Sequence, residues 1–406
     1  MKQHILVVSQ YFYPEEFRIN DICKEWVKRG YKVTVVTGIP NYPQGKFYRG
    51  FGWLKKRREE YEGIQIIRLP IIPRGRNAVM LILNYVSFVL SGFFWKLFTD
   101  IQADKVFIFQ VSPMTQALVG VWYAKKRRIP CYIYVQDLWP ENVEAVTGIH
   151  NKQIIHAIDR MADYIYRNCK RILATSPSFK RRIEERCSAW NEGESKVIYW
   201  PQYAEDFYRP VKKEPLSDMK DDDSFRIVFT GNIGFAQGLD ILPKTAALLK
   251  DEGAQCSFCI IGDGRYREKL EQEIIEQKVE DMFSLLGFKA PEEIPKYLAC
   301  CDAAFLSFAD NPLFEMTIPA KLQSYMACGK PILAAAKGET ERILRESEAG
   351  LCCDSGKPEG LARIILEMSQ MPPGEREIMG KQARTYFEKC FQKQELMNQI
   401  CRVMEM

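Results

Sequence analysis

The stretch RIVFTGNIGFAQG, residues 226–238, runs from a continuous apolar segment into a turn that holds three glycines. A continuous rather than alternating apolar run is typical of a strand buried on both faces of a parallel sheet. A helix is expected to follow, from Leu239 to residue 252. The order strand, glycine turn, helix predicts an α/β fold whose parallel sheet is covered by helices on both faces.

The same alternation continues on both sides of this stretch. Downstream, strands are expected at residues 257–261, 283–286, 303–306 and 331–335, with a helix at 266–277. Upstream, strands are expected at residues 5–9, 32–37, 64–69, 105–109, 131–135, 171–174 and 196–199, with helices at 20–30 and 116–126. We therefore predict two doubly wound, Rossmann-like domains that face a cleft, with ligands at the carboxyl ends of the strands.

A polar segment separates the two series of strands. Residues 209–224, RPVKKEPLSDMKDDDS, are rich in proline and charge, which is typical of a linker. We predict an N-terminal domain over residues 1–208 and a C-terminal domain over residues 225–384. A single final helix, expected within residues 382–403, would pack back on the first domain with residues 385–406.

Composition narrows the class of protein. Hydrophobic residues make up 47% and charged residues 27% of the 406 residues, which suits a soluble chain of two domains. The net charge of +5 permits contact with anionic lipids or phosphates. Because nucleic-acid binders usually carry a stronger basic bias, we expect no nucleic-acid partner.

The sequence has thirteen cysteines and three histidines as candidate metal ligands. Cys256 and Cys259 have the spacing of a zinc half-site, but no second pair follows at the distance found in zinc fingers. Several cysteines lie in apolar runs, where a thiol behaves as a small hydrophobic group. We predict buried free thiols, a reducing cytosol and no bound metal.

Residues 79–98, VMLILNYVSFVLSGFFWKLF, have about the length of a membrane span. We favour a buried or groove-lining helix, with a helix lying in the membrane interface as the second interpretation. A true span comes last, because it would place two parts of one sheet on opposite sides of a bilayer. The apolar run at residues 4–9 is too short for a signal peptide.

Several common catalytic motifs are absent. The first strand–helix turn, VVSQYFYPEEF at residues 7–17, lacks the G-x-G-x-x-G of a dinucleotide site. The sequence also lacks the G-x-x-x-x-G-K-[ST] motif of a phosphate-binding loop and the G-x-S-x-G motif of a serine nucleophile. With three histidines in the chain, few histidine-based catalytic sites are possible.

Two glycine turns follow successive strands of the second domain. Gly231, Gly234 and Gly238 leave backbone N–H groups free to approach an anion at a helix N-terminus. Gly262 and Gly264 occupy the next strand end, just before another helix. Either turn alone is commonly a tight connection, but the two together favour a ligand that carries phosphate.

The segment NPLFEMTIPAKLQSYMACGKP, residues 311–331, is the most informative. Its loop carries Glu315, and a helix expected to begin near Ala320 has Lys321 in its first turn. A lysine there opposes the helix dipole, so an anion such as a substrate diphosphate is expected to compensate it. The alternative is a solvated surface lysine.

Together these stretches resemble the retaining glycosyltransferases of family 4, which have the GT-B fold. The resemblance covers essentially the whole chain and is most similar to a bacterial branch that includes fucosamine and colanic-acid transferases. It is carried by QYFYPE at residues 10–15, PNYPQG at 40–45, QDLWPE at 136–141, GNIGFAQG at 231–238, GDG at 262–264, PAK at 319–321 and YMACGKP at 325–331.

The resemblance implies a nucleotide-sugar donor in the second domain, an acceptor in the first, retention of anomeric configuration and no metal. Lys321 and the turn at residues 231–238 would neutralise the leaving diphosphate. Glu315 would contact hydroxyls of the donor sugar or ribose, and Asp137 would face the cleft from the acceptor side. The departing phosphate oxygen would itself deprotonate the acceptor hydroxyl.

The matching motifs also imply two sets of binding residues. The donor set is Gly231, Asn232, Gly234, Gln237, Gly262, Gly264, Arg265 and Ser324. The acceptor set is Tyr13, Pro14, Glu15, Asn41 and Gln136.

The chain departs from the common family pattern at four of these positions. Gln136 stands where many members have histidine, Asn232 and Gln237 stand where they have arginine and lysine, and Ser324 aligns with a glutamate. These departures motivate one alternative function, a catalytically inactive nucleotide-sugar-binding scaffold at the membrane. A second alternative is a sugar-nucleotide epimerase, which would convert its donor without an acceptor.

Aromatic and basic residues alternate in residues 42–58. Aromatic faces beside basic groups suit sugars and diphosphates at a lipid surface, although a solvated loop explains the pattern too. With the apolar segment 79–98, they favour an acceptor anchored in the inner membrane leaflet. With the family resemblance, the expected acceptor is a saccharide linked to undecaprenyl diphosphate. The expected protein is cytoplasmic, bound peripherally to the anionic inner membrane, and builds lipopolysaccharide O-antigen, capsule or a similar surface polysaccharide.

Overall fold

The computed structural model describes residues 2–75, 77–143, 151–190, 193–219 and 223–406. Its contacts divide the chain into unit 1, Met1–Trp200 with Met397–Met406, and unit 2, Pro201–Leu396. Residues 201–208, assigned from sequence to the first domain, thus lie in unit 2. The described part of the expected linker, residues 209–219 and 223–224, forms no helix or strand.

Unit 1 is built on an eight-stranded sheet. Its strands are β1 His4–Val8, β2 Lys32–Gly38, β3 Arg58–Tyr61, β4 Ile64–Leu69, β5 Lys105–Gln110, β6 Cys131–Val135, β7 Arg171–Ala174 and β8 Val197–Tyr199. They are ordered β3-β4-β2-β1-β5-β6-β7-β8. Strand β3 pairs antiparallel with β4 and was not predicted, because its sequence, REEY, has no apolar run.

Helices pack on this sheet through stripes of apolar residues. The described helices are α1 Arg18–Lys28, α2 Ala78–Phe98, α3 Ala117–Arg127, α4 Lys152–Arg167 and α5 Pro177–Ser188. In α1 the buried Ile19, Ile22 and Trp26 follow the helical spacing of three and four residues. The Trp26 ring meets Phe107 of β5 edge-on at 4.9 Å between ring centroids.

Unit 2 is built on a six-stranded parallel sheet. Its strands are β9 Phe225–Thr230, β10 Cys256–Ile261, β11 Phe283–Gly287, β12 Ala303–Ser307, β13 Ile332–Ala335 and β14 Gly350–Cys353. The order β11-β10-β9-β12-β13-β14 runs outward in opposite directions from β9 and from β12. The predicted α/β class with two doubly wound sheets is confirmed.

The remaining helices begin in unit 2. They are α6 Ile241–Asp251, α7 Arg267–Glu276, α8 Ile294–Cys300, α9 Pro312–Glu315, α10 Ala320–Ala327, α11 Glu339–Ser347, α12 Pro358–Gln370, α13 Pro373–Cys390 and α14 Lys393–Val403. The prediction of one final helix is wrong, because Phe391 leaves the helical conformation with φ −129° between α13 and α14. Its ring is 1% exposed, so apolar burial stabilises the break.

The prediction of free thiols is confirmed, and the prediction that they are buried is confirmed for ten of the thirteen. All thirteen thiols are free; Cys352, Cys353 and Cys390 are half-buried and the others are buried. In the part of the chain that the structure describes, no three His, Cys, Asp or Glu side chains cluster as metal ligands would.

Helix α2 is only partly buried, so the interpretation of residues 79–98 as a buried helix is wrong, while its groove-lining form stays a prediction. Its buried residues are Asn84, Phe88 and Gly92. A Cβ on Gly92 would lie 2.3 Å from a methyl of Val119, so α3 approaches α2 closely at this glycine. Among the described helices, α2 is the one whose length and apolar composition would suit a membrane span, and 17% of that stretch is buried.

Candidate functional site

The carboxyl ends of β9 and β12 mark the point where the strand order of unit 2 reverses, which is where open α/β sheets bind ligands. Gly231 follows β9 with φ +122°, and its N–H donates to the Ile261 carbonyl at 2.8 Å. A Cβ on Gly262 would lie 1.8 Å from the Gly231 carbonyl oxygen. The two predicted glycine turns therefore lie backbone against backbone, as their glycines require.

The first turn is held by one of its own side chains. Gln237 Oε1 accepts hydrogen bonds from the Gly234 N–H at 3.1 Å and from Asn232 Nδ2 at 3.3 Å. The Ser307 hydroxyl, at the end of β12, donates to the Gln237 carbonyl at 2.5 Å. Gln237 thus fixes the shape of the turn at the reversal point.

Lys321 lies against this turn. Its Nζ is shielded from solvent, has no hydrogen-bond partner among the described residues, and lies 3.8 Å from the centroid of the Phe229 ring. A Cβ on Gly231 would be 3.6 Å from the same nitrogen. Burial lowers the pKa of Lys321 to about 7. The alternative of a solvated surface lysine is therefore wrong.

Helix α10 places Lys321 there because its next turn is fastened to β9. The Tyr325 hydroxyl accepts hydrogen bonds from the Thr230 N–H at 2.9 Å and from the Thr230 hydroxyl at 3.2 Å. Burial raises the pKa of Tyr325 to about 12, so the phenol stays neutral. Residues 321 and 325 lie on one face of the helix, and this bond sets the lysine opposite Gly231.

Two further side chains of the donor set, and that of Glu315, differ in their surroundings. The Ser324 hydroxyl donates to the Ala320 carbonyl of its own helix at 3.3 Å, and Arg265 is exposed. Glu315 is half-buried, and its carboxylate makes no hydrogen bond or ion pair with any described residue. Its backbone carbonyl lies beside Gly338, where a Cβ would be 2.1 Å away. Glu315 is thus positioned by the backbone and keeps both carboxylate oxygens available.

Asp137 follows β6 in unit 1 and lies beside the end of β5. Its Oδ2 accepts hydrogen bonds from the Ser112 N–H at 2.7 Å and the Ser112 hydroxyl at 2.8 Å. Asn142 Nδ2 donates to the same hydroxyl at 2.9 Å. Burial raises the pKa of Asp137, while the bonds from Ser112 act in the opposite direction. Asp137 Oδ1 accepts no hydrogen bond from the described residues.

Gln136 precedes Asp137, and its N–H donates to the Gln110 carbonyl at 2.9 Å, which extends the β5–β6 pairing. Reasoning from the sequence does not single out Ser112 as a site residue. Ser112 lies a few residues after the strand expected at residues 105–109, and this position near a strand end is the signal that could have identified it.

Glu15 joins the loops that follow β1 and β2. Its Oε1 accepts hydrogen bonds from the Asn41 N–H at 2.8 Å and the Tyr42 N–H at 2.6 Å. Its Oε2 is buried with no hydrogen-bond partner in the described chain. Burial raises the pKa of Glu15 to about 7, although these bonds and Arg68 lower it in part.

The other members of the acceptor set support the same loops. Asn41 is fully buried, donates to the Ile39 carbonyl at 2.9 Å and accepts from the Arg74 N–H at 2.9 Å. The Tyr13 ring stacks on Tyr61 at 3.6 Å, and Pro14 beside it is half-buried. Glu15 and Asn41 thus meet at the carboxyl edge of the sheet, while the Tyr13 ring lies against Tyr61 of β3.

Comparison with known proteins covers both units. A model described as "Glycosyl transferase 4-like domain" matches residues 16–191, and one described as "Glycosyl transferases group 1" matches residues 212–386. The putative colanic acid biosynthesis glycosyl transferase WcaI of Escherichia coli K12 is 25% identical over 98% of each chain. The probable glycosyltransferase WbjE of Pseudomonas aeruginosa is 27% identical, and the match spans 59% of this chain and 60% of WbjE.

Solved structures with low sequence identity share the fold. Sucrose-phosphate synthase from Thermosynechococcus elongatus has a TM-score of 0.76 at 15% identity, over 100% of this chain and 98% of its own. Anabaena Alr3699/HepE, solved in complex with UDP and glucose, has a TM-score of 0.69 at 17% identity over 99% of both chains.

Proposed function

Because this chain belongs to the glycosyltransferases with the GT-B fold, we propose that it transfers a sugar from a nucleotide-sugar donor onto an acceptor in surface-polysaccharide biosynthesis. The observation that carries the proposal is the buried, unpartnered amine of Lys321 beside two glycine turns at the reversal point of the sheet. The name of WcaI supports the polysaccharide, and the HepE complex with UDP and glucose supports the class of donor.

In this proposal unit 2 binds the donor and neutralises the leaving group. As the bond between the anomeric carbon and the diphosphate oxygen breaks, negative charge accumulates on the diphosphate. Lys321 Nζ and the N–H groups of the 231–238 turn supply positive charge and donors there without a metal. Glu315, with both oxygens available, accepts hydrogen bonds from donor hydroxyls.

Unit 1 binds the acceptor, with Asp137 Oδ1 accepting a hydrogen bond from an acceptor hydroxyl. The new bond forms between the acceptor oxygen and the anomeric carbon on the face that the diphosphate leaves, so that configuration is retained. The departing phosphate oxygen takes the proton of the acceptor hydroxyl. This route needs no protein nucleophile and no metal ion, so chelation should leave the rate of transfer unchanged.

The acceptor we propose is a saccharide linked to undecaprenyl diphosphate, used at the cytoplasmic face of the inner membrane. Exposed aromatic and basic side chains support it: Tyr42 and Trp53 are 38% and 58% exposed, and Lys46, Arg49 and Lys55 are exposed near them in sequence. Aromatic rings suit the sugar, and the cations suit the diphosphate.

Replacing Lys321 tests the donor site. The Lys321→Met variant keeps an unbranched side chain on Phe229 but removes the amine. Thermal shift with UDP-, GDP- and dTDP-sugars should find a donor that stabilises the wild-type protein, since a ligand of the native state raises its melting temperature. The variant should lose most of that shift, and its transfer rate should fall at least about 100-fold.

The exposed Lys296→Ala, on α8, is the matched control and should behave as wild type. Equal donor response and turnover in Lys321→Met would overturn the assignment of the diphosphate site. Donor binding without transfer to any acceptor would favour the inactive scaffold instead. Donor conversion in the absence of an acceptor would favour the epimerase.

A further inference from the structure

We propose that α2 and the turn at residues 52–55 form one surface that docks unit 1 on an anionic lipid bilayer, with α2 lying in the plane of the interface. This inference names the membrane partner of the acceptor site and rests on the proposed function for its choice of a lipid surface.

The outer face of α2 is a continuous apolar stripe. Its exposed side chains, which are 38–83% accessible, are Val79, Ile82, Leu83, Val86, Leu90, Phe93, Phe94, Leu97 and Phe98. They recur every three or four residues along 21 residues, opposite the buried Asn84, Phe88 and Gly92. A helix of this length is about 30 Å long, and soluble monomers rarely expose an apolar patch of that size.

Hydrogen bonds from polar groups hold the inner face of α2 against unit 1, so that the helix lies along the surface of this unit. Asn84 Nδ2 donates to the Ile72 carbonyl at 2.6 Å, and Asn84 Oδ1 accepts from Gln10 Nε2 at 2.7 Å. Ser87 Oγ accepts from the Ile72 N–H at 2.9 Å. Crossing a bilayer would break these bonds and leave their polar groups in hydrocarbon, so the fold favours an in-plane helix.

A second group of exposed apolar side chains lies beside the middle of α2. Leu54 is 97% exposed and Trp53 is 58% exposed at the tip of the turn. Trp53 Nε1 donates to the Ile71 carbonyl at 2.8 Å, in the same segment that bonds Ser87. The turn and the helix are therefore joined through residues 70–72, and indole rings prefer the headgroup region of a membrane.

Basic side chains border both parts of this surface, the turn at residues 52–55 and helix α2. Lys55 and Lys56 follow Leu54 and are exposed. At the other end, Lys126 Nζ donates to the Lys96 and Leu97 carbonyls at 2.7 and 2.8 Å, and Lys96 Nζ lies 4.6 Å from the centroid of the Phe93 ring. A basic border attracts anionic headgroups. A second copy of the chain would bring an equally basic border, so charge favours lipid over self-association.

Vesicle sedimentation of the full chain tests the proposal, with the protein free of nucleotide. Wild type should bind vesicles of phosphatidylglycerol and phosphatidylcholine, and should bind phosphatidylcholine alone much more weakly. Leu90→Glu with Phe94→Glu should lower the partition coefficient at least about 30-fold, since two apolar groups no longer enter the interface. Ile275→Glu, at a position 60% exposed on α7 of unit 2, is the matched control and should bind as wild type.

A second variant leaves α2 untouched. Lys55→Glu with Lys56→Glu should lower binding to the anionic vesicles about 10-fold or more. Wild-type binding by both double variants, equal binding to neutral vesicles, or a dimer that the α2 variant converts to monomer would each overturn the proposal. The donor thermal shift of the α2 variant, measured in parallel, reports on the proposed function, so failure of one idea is distinguishable from failure of the other.

Discussion

At the scale of single residues, the buried position of the Lys321 amine determines its pKa and therefore its charge. A lysine whose folded pKa is about 7 disfavours folding while it is charged, and this penalty is full below pH 7. As pH rises from about 7 toward the ordinary lysine pKa near 10.5, the folded state loses its proton first and the penalty disappears. Lys321→Met should therefore be more stable than wild type at pH 6, and this gain should shrink by pH 10.

An anion bound beside Lys321 changes this balance, because the amine then gains hydrogen-bond acceptors and an opposite charge. The same side chain that destabilises the free protein is thus suited to stabilise a leaving diphosphate. Groups that lower the stability of the free protein are commonly retained at functional sites because activity requires them.

Glu15 shows the corresponding behaviour for an acid. Its folded pKa of about 7 exceeds the ordinary 4.5, so the folded state binds the extra proton between these values. Stability should fall as pH rises from about 4.5 to about 7 and should then level off. Glu15→Gln keeps the acceptor for the Asn41 and Tyr42 N–H groups and removes the charge. We expect it to stabilise the protein by about 3 kcal/mol at pH 8 and by little at pH 4.

Urea unfolding at several pH values measures this effect. Glu16→Gln, at the neighbouring exposed carboxylate, is the control and should leave the pH dependence unchanged. A Glu15→Gln profile parallel to that of wild type would show that Glu15 is not the titrating group.

At the scale of elements, the contact between the two glycine turns defines the proposed donor site. A Cβ on Gly262 would overlap the Gly231 carbonyl, whereas one on Gly253, also at positive φ (+70°), would meet nothing within 4 Å. Gly262→Ala should therefore cost about 2–4 kcal/mol and abolish the donor thermal shift, because the 231–238 turn must move. Gly253→Ala should cost about 1 kcal/mol from backbone strain alone and keep the shift.

Thermal unfolding with and without the donor separates these two costs. If both alanine variants lose the same stability and keep the same donor response, close packing of the turns is not what holds the site.

At the scale of the whole molecule, the last residues of the chain complete unit 1. Buried Lys105 donates to the Glu405 carbonyl at 2.6 Å and also to the Met404 carbonyl. Arg29 donates to Asn398 Oδ1 at 2.8 Å. Removing residues 397–406 should leave the Lys105 amine without these acceptors, and amide hydrogen exchange should accelerate in α1 and β5 of unit 1.

The strands of unit 2 should keep their wild-type exchange rates in the same experiment. Glu395→Ala, an exposed position of α14 within unit 2, should leave exchange in both units unchanged. Equal acceleration in both units on truncation would contradict a role confined to unit 1.

The sequence by itself determined the fold class, most of the strands and the segments that form the candidate site. Continuous apolar runs report burial on both faces directly, and strands at residues 64–69, 131–135 and 171–174 were predicted with the observed bounds. The glycine turns and the PAK segment were also visible, since they follow predicted strands along the chain.

Only the tertiary structure decided what each side chain does. The burial of the Lys321 amine against Phe229, the bond of Tyr325 to β9 and the pairing of Ser112 with Asp137 all join residues far apart in sequence. The apolar run of α2 likewise predicted a buried helix, yet most of its face is exposed. The hydrophobicity of a segment indicates how much free energy the segment gains by leaving water. The packing of the whole fold decides whether other parts of the protein cover that segment.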